Sequence, residues 1–195
     1  MLFLLGEKVV RTTTDHGSFD CPICQSPQTA LHVLDKNYFT VFFIRILPLK
    51  LIGDYLECSH CLHSYDPKDT SQPAYIPHLS LILSYLMLGY GVNESKLLAA
   101  DIYQNMTNKE SDEKEFRNNI AAFSEGKELF ESLKAASFRL NTMAKIRLVE
   151  AAYLMTRAMS DLSYEDRLRV NLIGNALDLS LEFINEIINR IQQVH

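Results

Sequence analysis

Cys21-Pro22-Ile23-Cys24 and Cys58-Ser59-His60-Cys61 hold all four cysteines of the chain. Their division into two C-x-x-C pairs decides how the first third folds. A C-x-x-C turn can present both sulfurs to one cation. Two such turns, joined by a short sheet, complete a tetrahedral thiolate set at Zn–S distances of about 2.3 Å. Each pair follows a strand-like run, Gly17-Ser18-Phe19-Asp20 before Cys21 and Asp54-Tyr55-Leu56-Glu57 before Cys58. The pattern reads as one structural zinc ion held by Cys21, Cys24, Cys58 and Cys61. Four thiolates leave no open coordination position, so such a site holds a fold together and does not offer a zinc-bound water. Two readings compete with it. Disulfides belong to oxidising compartments, and the apolar start Met1-Leu2-Phe3-Leu4-Leu5 is too short for a secretory signal core. A redox C-x-x-C usually stands alone at a helix start beside a βαβ unit. His60 and His63 flank the second pair and, with four cysteines at hand, read as bystanders. The 33 residues between Cys24 and Cys58 exceed the roughly 15–20 of common ribbons. Extended strands or an inserted hairpin are therefore expected.

The composition, 47% hydrophobic and 22% charged over 195 residues, is that of an ordinary globular chain of one or two domains. Its net charge is −5, and neither residues 1–70 (six Lys/Arg, eight Asp/Glu) nor the remainder is basic. That balance argues against a general nucleic-acid binder. The apolar run Tyr38–Leu49 is interrupted by Arg45 and Pro48, and a membrane-spanning helix needs about 20 mostly apolar residues. A cytoplasmic protein without a transmembrane segment is expected, in which thiols stay reduced and available to zinc.

Strand-like pieces dominate residues 1–70. Leu2–Leu5 and Lys8–Thr14 are apolar or β-branched, His16-Gly17 reads as a turn, Ala30–Leu34 as a short strand, and Lys36-Asn37 as another turn. Tyr38-Phe39-Thr40-Val41-Phe42-Phe43-Ile44 reads as one dense strand that is apolar on both faces and needs cover on both. Three covers are open: the second domain, a protein partner or self-association through Phe39, Phe42, Phe43 and Ile44, or a peripheral membrane contact. The last ranks lowest because few basic residues flank the run.

The order Phe3-Leu4-Leu5-Gly6, a basic strand, Cys21-Pro-Ile-Cys24, Tyr38-Phe-Thr-Val-Phe-Phe-Ile44 to Leu47-Pro48, then Tyr55-Leu-Glu-Cys58-x-x-Cys61 resembles a family of short bacterial zinc-ribbon proteins. Those carry a W/Y-F-T-x-F-F-I-P-x-x-P run between their cysteine pairs. Arg45 stands here where the first proline is usual. The resemblance covers the first third and implies a metal-binding module.

Ser64–Pro77, with Pro67, Pro73 and Pro77, marks the domain boundary. The expected organisation is a zinc ribbon over 1–70, a linker over 71–77 and a helical bundle over 78–195, an α+β chain. Apolar spacing gives a helix through Leu79, Ile82, Leu83, Leu86 and Met87, ended by Gly89 and Gly91. A second is capped by Asn93 and buries Leu97, Leu98, Ile102 and Tyr103. Further helices are expected over Asp112–Phe123, Leu129–Leu140 and Ala144–Met159. Ser163-x-x-Asp166 opens the next as a capping box, with Leu168, Leu172, Ile173 and Ala176 inward. Ser180 caps the last, with Phe183, Ile184, Ile187, Ile188 and Ile191 buried. Tyr85-Leu86-Met87 before one turn and Tyr153-Leu154-Met155 before another echo each other. The second turn, Ala158-Met-Ser-Asp-Leu-Ser-Tyr-Glu-Asp166, followed by Ala176-Leu-Asp-Leu-Ser180, is similar to the TerB (tellurite-resistance) family. That resemblance implies a duplicated helical architecture whose acidic turns bind a divalent cation. Met159 and Ser160 replace the family's aspartate and glycine, which largely removes that pocket. Asp161 and Asp166 remain, and read as a solvated charge and a cap.

No glycine loop, nucleophile motif or His-containing catalytic set appears, so no enzyme is expected. The first functional reading is a non-enzymatic zinc-binding module for protein–protein interaction, in a bacterial stress-response or envelope-associated system. The second is a nucleic-acid-binding ribbon, supported by Lys134, Arg139, Lys145, Arg147 and Arg157.

Overall fold

The structure is a computed structural model that describes residues 5–194. The expected strand start at Leu2 and the Phe3-Leu4 opening of the ribbon resemblance lie outside the described residues. Two compact units emerge. The first comprises residues up to Ala74 together with Ser137–Asn141; the second comprises Tyr75–Ala136 and residues from Thr142 onward.

The first unit is a four-stranded antiparallel sheet in the order β1-β2-β3-β4. β1 (Leu5–Cys21) pairs with β2 (Ser26–Val41) from Leu5↔Val41 to Cys21↔Ser26. β2 pairs with β3 (Ile44–Cys58) from Val41↔Ile44 to Ala30↔Cys58, and the short β4 (Ser64–Tyr65) pairs with Leu56 and Glu57. Long strands thus fill the wide interval between the cysteine pairs. The dense run Tyr38–Ile44 is not one strand. The chain reverses inside it at Phe42 (φ 49°) and Phe43 (φ 64°). Two left-handed residues are what a two-residue hairpin needs to match the twist of its strands, and each costs about 1–2 kcal/mol on a residue other than glycine. Without Asn or Gly there, the turn leaves no ordinary sequence signal.

The two expected turns are not turns. Gly17 (φ 97°) forms a bulge that shifts the β1 register after Asp15, and its N–H donates to Asp15 Oδ1 at 2.7 Å. Lys36 and Asn37 continue β2 opposite Leu51 and Lys50, and register shifts beside them are taken up in β3. Midway along the sheet Arg11 grips Asp35 through Nε–Oδ1 and Nη2–Oδ2, both 2.9 Å, and also donates to the Tyr55 hydroxyl at 2.9 Å. This bidentate geometry on a buried tyrosine ties three strands together. The carboxylate holds the Arg11 guanidinium protonated, and burial pushes the Tyr55 phenol up.

The second unit contains α1 (Ile76–Tyr90), α2 (Val92–Thr107), α3 (Glu113–Ser124), α4 (Leu129–Ala136), α5 (Thr142–Met159), α6 (Tyr164–Ala176) and α7 (Leu181–Val194). α1 and α5 are central: α1 packs on α2, α3, α4 and α5, and α5 also packs on α2, α6 and α7. Leu79, Ile82, Leu83, Leu86 and Met87 of α1 are buried as their spacing predicts. Pro77 sits in the first turn, where its missing N–H costs nothing. Gly91, not Asn93, begins α2, because its φ of 96° lets one residue end α1 and start the next helix. Asp112 caps α3 by accepting from Lys114 N.

The inward faces of two helices differ from expectation. Leu97 of α2 is 83% exposed, while α6 buries Asp166, Val170, Ile173 and Gly174 and leaves Leu168 and Leu172 exposed. Gly174 sets that face: a Cβ there would lie 2.5 Å from Ile184 Cδ1 of α7. The helix expected over Leu129–Leu140 stops at Ala136, and a 3-10 turn, Ser137–Arg139, follows in the first unit. No helix among the described residues is long and apolar enough to cross a membrane.

Candidate metal centre

The bulged end of β1 and the start of β2 form one knuckle, and the end of β3 and the start of β4 form the other. Each knuckle is closed in the same way. Gln25 N donates to Cys21 O at 2.8 Å and Leu62 N to Cys58 O at 3.0 Å. Gln25 and Leu62, the residues just after Cys24 and Cys61, are both left-handed, with φ of 53° and 59°. The tight reversals aim all four sulfurs at one point, where they lie within 4.8 Å of one another. Cys21 Sγ is 3.6 Å from Cys61 Sγ, and Cys24 Sγ is 3.9 Å from Cys58 Sγ. A disulfide would need about 2.05 Å. A tetrahedron with 2.3 Å metal–sulfur bonds has edges of about 3.8 Å. The cysteines are free, and their spacing fits a metal. Neither His60 nor His63 belongs to the cluster; His63 Nδ1 lies 3.2 Å from Cys61 O.

The core of this unit is built around the thiols. Cys21, Leu56, Cys58 and Tyr65 are buried together, and Phe19, Cys24 and Cys61 pack on them. The Phe19 and Tyr65 rings meet edge to face at 5.2 Å. The buried Tyr65 hydroxyl lies 3.1 Å from Cys21 Sγ and 4.0 Å from Cys61 Sγ. Burial raises the Cys21 thiol, but the Tyr65 hydroxyl and the backbone N–H groups of Cys24 and Ile23 outweigh it and bring it down to about 7. Cys24 is pushed up to about 12, first by burial and then by its sulfur neighbours, and burial likewise raises Cys61. A divalent cation at the centre would offset the crowding of these thiolates. Removing the hydroxyl by Tyr65→Phe is expected to weaken zinc binding roughly tenfold or more, as loss of an outer hydrogen bond to a ligand does. Competition against a chromophoric chelator measures it.

A segment distant in sequence also holds the second knuckle. Asn141 Nδ2 donates to Leu62 O at 2.8 Å and to Glu57 Oε2 at 3.0 Å, and Asn141 N donates to Ser64 Oγ at 3.3 Å. Arg139 Nη1 donates to Asp54 O at 2.8 Å and lies 3.1 Å from Asp54 Oδ2. His32 Nε2 is 2.8 Å from the other Asp54 oxygen. Nothing local in the sequence marks Arg139 or Asn141, since their partners are 77–85 residues away. Arg139 and Arg147 both belong to the basic set of the nucleic-acid reading, and Arg147 stacks on the Tyr75 ring at 5.6 Å.

The other candidate residues lie elsewhere. Phe39 and Ile44 flank the hairpin turn made by Phe42 and Phe43, at the end of the sheet opposite the cysteines. Phe42, Phe43 and Ile44 are exposed and Phe39 is half-buried. In the helical unit Asp166 is a cap. Its carboxylate accepts from Tyr90 Oη (2.5 Å), Ser160 Oγ (2.6 Å), Ser163 Oγ (2.7 Å) and Ser163 N (3.1 Å), and Ser163 Oγ accepts from Asp166 N. This is the capping box expected at Ser163. Asp161 is exposed, and neither aspartate falls in a cluster of three or more ligating side chains among the described residues.

No curated protein and no solved structure matches the chain, and the TerB-like resemblance of the helices finds no counterpart in the comparisons. The model of a zinc-ribbon family matches residues 19–102, which carry all four cysteines, so sequence family and thiol geometry both suggest that this segment binds zinc.

Proposed function

We propose that this chain is a non-enzymatic zinc-binding interaction module, in which one structural zinc fixes the base of a sheet whose far end meets a binding partner. One observation carries the reading: a sheet that starts at a closed four-thiol cluster ends in a tip where Phe42, Phe43, Ile44, Ile46, Leu47 and Leu49 are all exposed. Contiguous apolar surface of this kind marks a contact site. Four thiolates leave zinc no position for a reacting water, which supports a structural metal. The nucleic-acid alternative is weakened because Arg139 and Arg147 are held by internal partners. The TerB-like reading rests on the turn sequences and carries no part of this function.

The test compares the tagged chain with its Phe42→Asn/Phe43→Gly variant for material retained from host extract. Material held by the natural chain, lost by the variant and resistant to nuclease is the expected result. Equal retention by both, or release by nuclease, overturns the reading.

A further inference from the structure

The far end of the first sheet carries one apolar face and an exposed aromatic turn. Residues paired across strands share a face. On one, Leu5, Val41 and Ile44 lie side by side, with Phe39 and Leu47 a little further along. The other face is mixed: Thr40 pairs with Arg45, Tyr38 with Lys8 and Pro48, and Lys36 with Leu51. Leu5 is 61%, Ile44 65%, Leu47 58% and Leu51 45% exposed, and Phe43 at the turn is 79% exposed. That face and the exposed turn, with the cations of the opposite face beside them, make an amphipathic tip.

The charge around the tip points the same way. Beyond the Arg11–Asp35 pair, the arm carries Lys8, Lys36, Arg45 and Lys50 against the single carboxylate Glu7, a local net of +3 in a chain of net −5. Read along the chain, the apolar run has few basic neighbours. Pairing places Lys8 of β1 and Lys36 of β2 beside Arg45 and Lys50 of β3. All four lie within about 20 Å of the turn at the rise of a strand. Arg45 sits over the Tyr38 ring at 6.0 Å. An aromatic tip backed by cations is complementary to an anionic interface. Its depth is bounded. Among the described residues no strand pairs with the outer edge of β1, or with that of β3 before Leu56. Open backbone edges are not tolerated in hydrocarbon.

We propose that this arm docks on an anionic lipid surface, with Phe42 and Phe43 entering the interfacial layer and Lys8, Lys36, Arg45 and Lys50 meeting headgroup phosphates. The proposal rests on the interaction-module reading and names its occupant.

The test is flotation of the full metal-bound chain with vesicles of equal parts phosphatidylglycerol and phosphatidylcholine, and with phosphatidylcholine alone. Binding is expected on the anionic vesicles only, falling with salt. Phe42→Asn/Phe43→Gly installs the residue pair that such a turn prefers, so the sheet is retained while binding falls on the order of tenfold or more. Lys8→Gln/Arg45→Gln/Lys50→Gln is expected to lose on the order of a hundredfold, at about fivefold per cation. The chain has no tryptophan, so Phe43→Trp supplies a single indole whose emission shifts to the blue on anionic vesicles. Absence of flotation, equal flotation of Phe42→Asn/Phe43→Gly, or an unshifted indole overturns the proposal. Arm-dependent capture of a protein without vesicle binding would overturn the lipid assignment and leave the interaction module standing. Loss of both would overturn both.

Discussion

Cys58→Ser is expected to release the metal and unfold the first unit, while the far-ultraviolet helical signal of the second is largely kept. Cys58 is fully buried, and its sulfur lies 3.9 Å from Cys24 Sγ in a cluster that buries Leu56 and Tyr65 and packs Phe19 against them. A unit of this size gains little net stability from its apolar core alone. Structural zinc contributes on the order of 10 kcal/mol in small domains, as much as the whole stability of many folded chains. Serine is a poor zinc ligand and would leave a hydroxyl in that core. Elemental analysis is expected to fall from one zinc per chain to a small fraction. Hydrogen exchange across β1, β2 and β3 is expected to accelerate, and chelation of the natural chain should reproduce the result. Unchanged exchange in those strands after loss of the cysteine or of the metal would show that zinc does not hold this sheet.

Asp166→Ala is expected to destabilise the helical unit by about 2–4 kcal/mol, read from denaturant unfolding followed by the helical signal. Loss of a helix cap costs about 1 kcal/mol. Here the same carboxylate also serves Tyr90, Ser160 and the Ser163 hydroxyl. Its removal leaves partly buried donors without an acceptor, at about 1–3 kcal/mol. The contribution depends on pH. Burial alone would raise the carboxyl, but the hydrogen bonds from Ser160, Tyr90 and Ser163 outweigh it and hold Asp166 down at about 2, against an ordinary 3.8. A depressed folded-state value means the stability is fully present above the unfolded value. It is lost as pH falls from about 4 through 2, where the unfolded chain takes up the proton first. The natural chain should therefore lose helical-unit stability over that window, and the alanine variant should lose less. Equal pH slopes for the two would show that the carboxylate is not what the acid titrates.

The four-thiol cluster was legible because its signal is local and chemical: two C-x-x-C pairs, with no other cysteine in the chain. The capping box at Ser163 was legible for the same reason, since three residues contain both partners. The central face of α1 followed from apolar spacing, which survives wherever a helix is buried on a broad side. The errors have a common origin. Phe42-Phe43 reads as strand because bulky residues favour extended backbone, yet β1, β2 and β3 close only if the chain reverses there. Leu97, Leu168 and Leu172 read as core because side-chain type was the only guide. Ser95 and Gly174, small enough to admit a neighbouring element, are the buried positions instead.

The amino-acid sequence by itself determined a four-thiolate zinc motif, an α+β order with helices after the proline-rich segment, and a net charge of −5. Tertiary structure alone decided that the aromatic run is a hairpin tip, that Lys8 and Lys36 join Arg45 and Lys50 around it, and that Arg139 and Asn141 brace the second knuckle. The reason is range. Motifs and periods act over a few residues, where backbone geometry alone places the side chains. The tip and the brace depend on pairs up to 85 residues apart, whose meeting is set by sheet register and chain return.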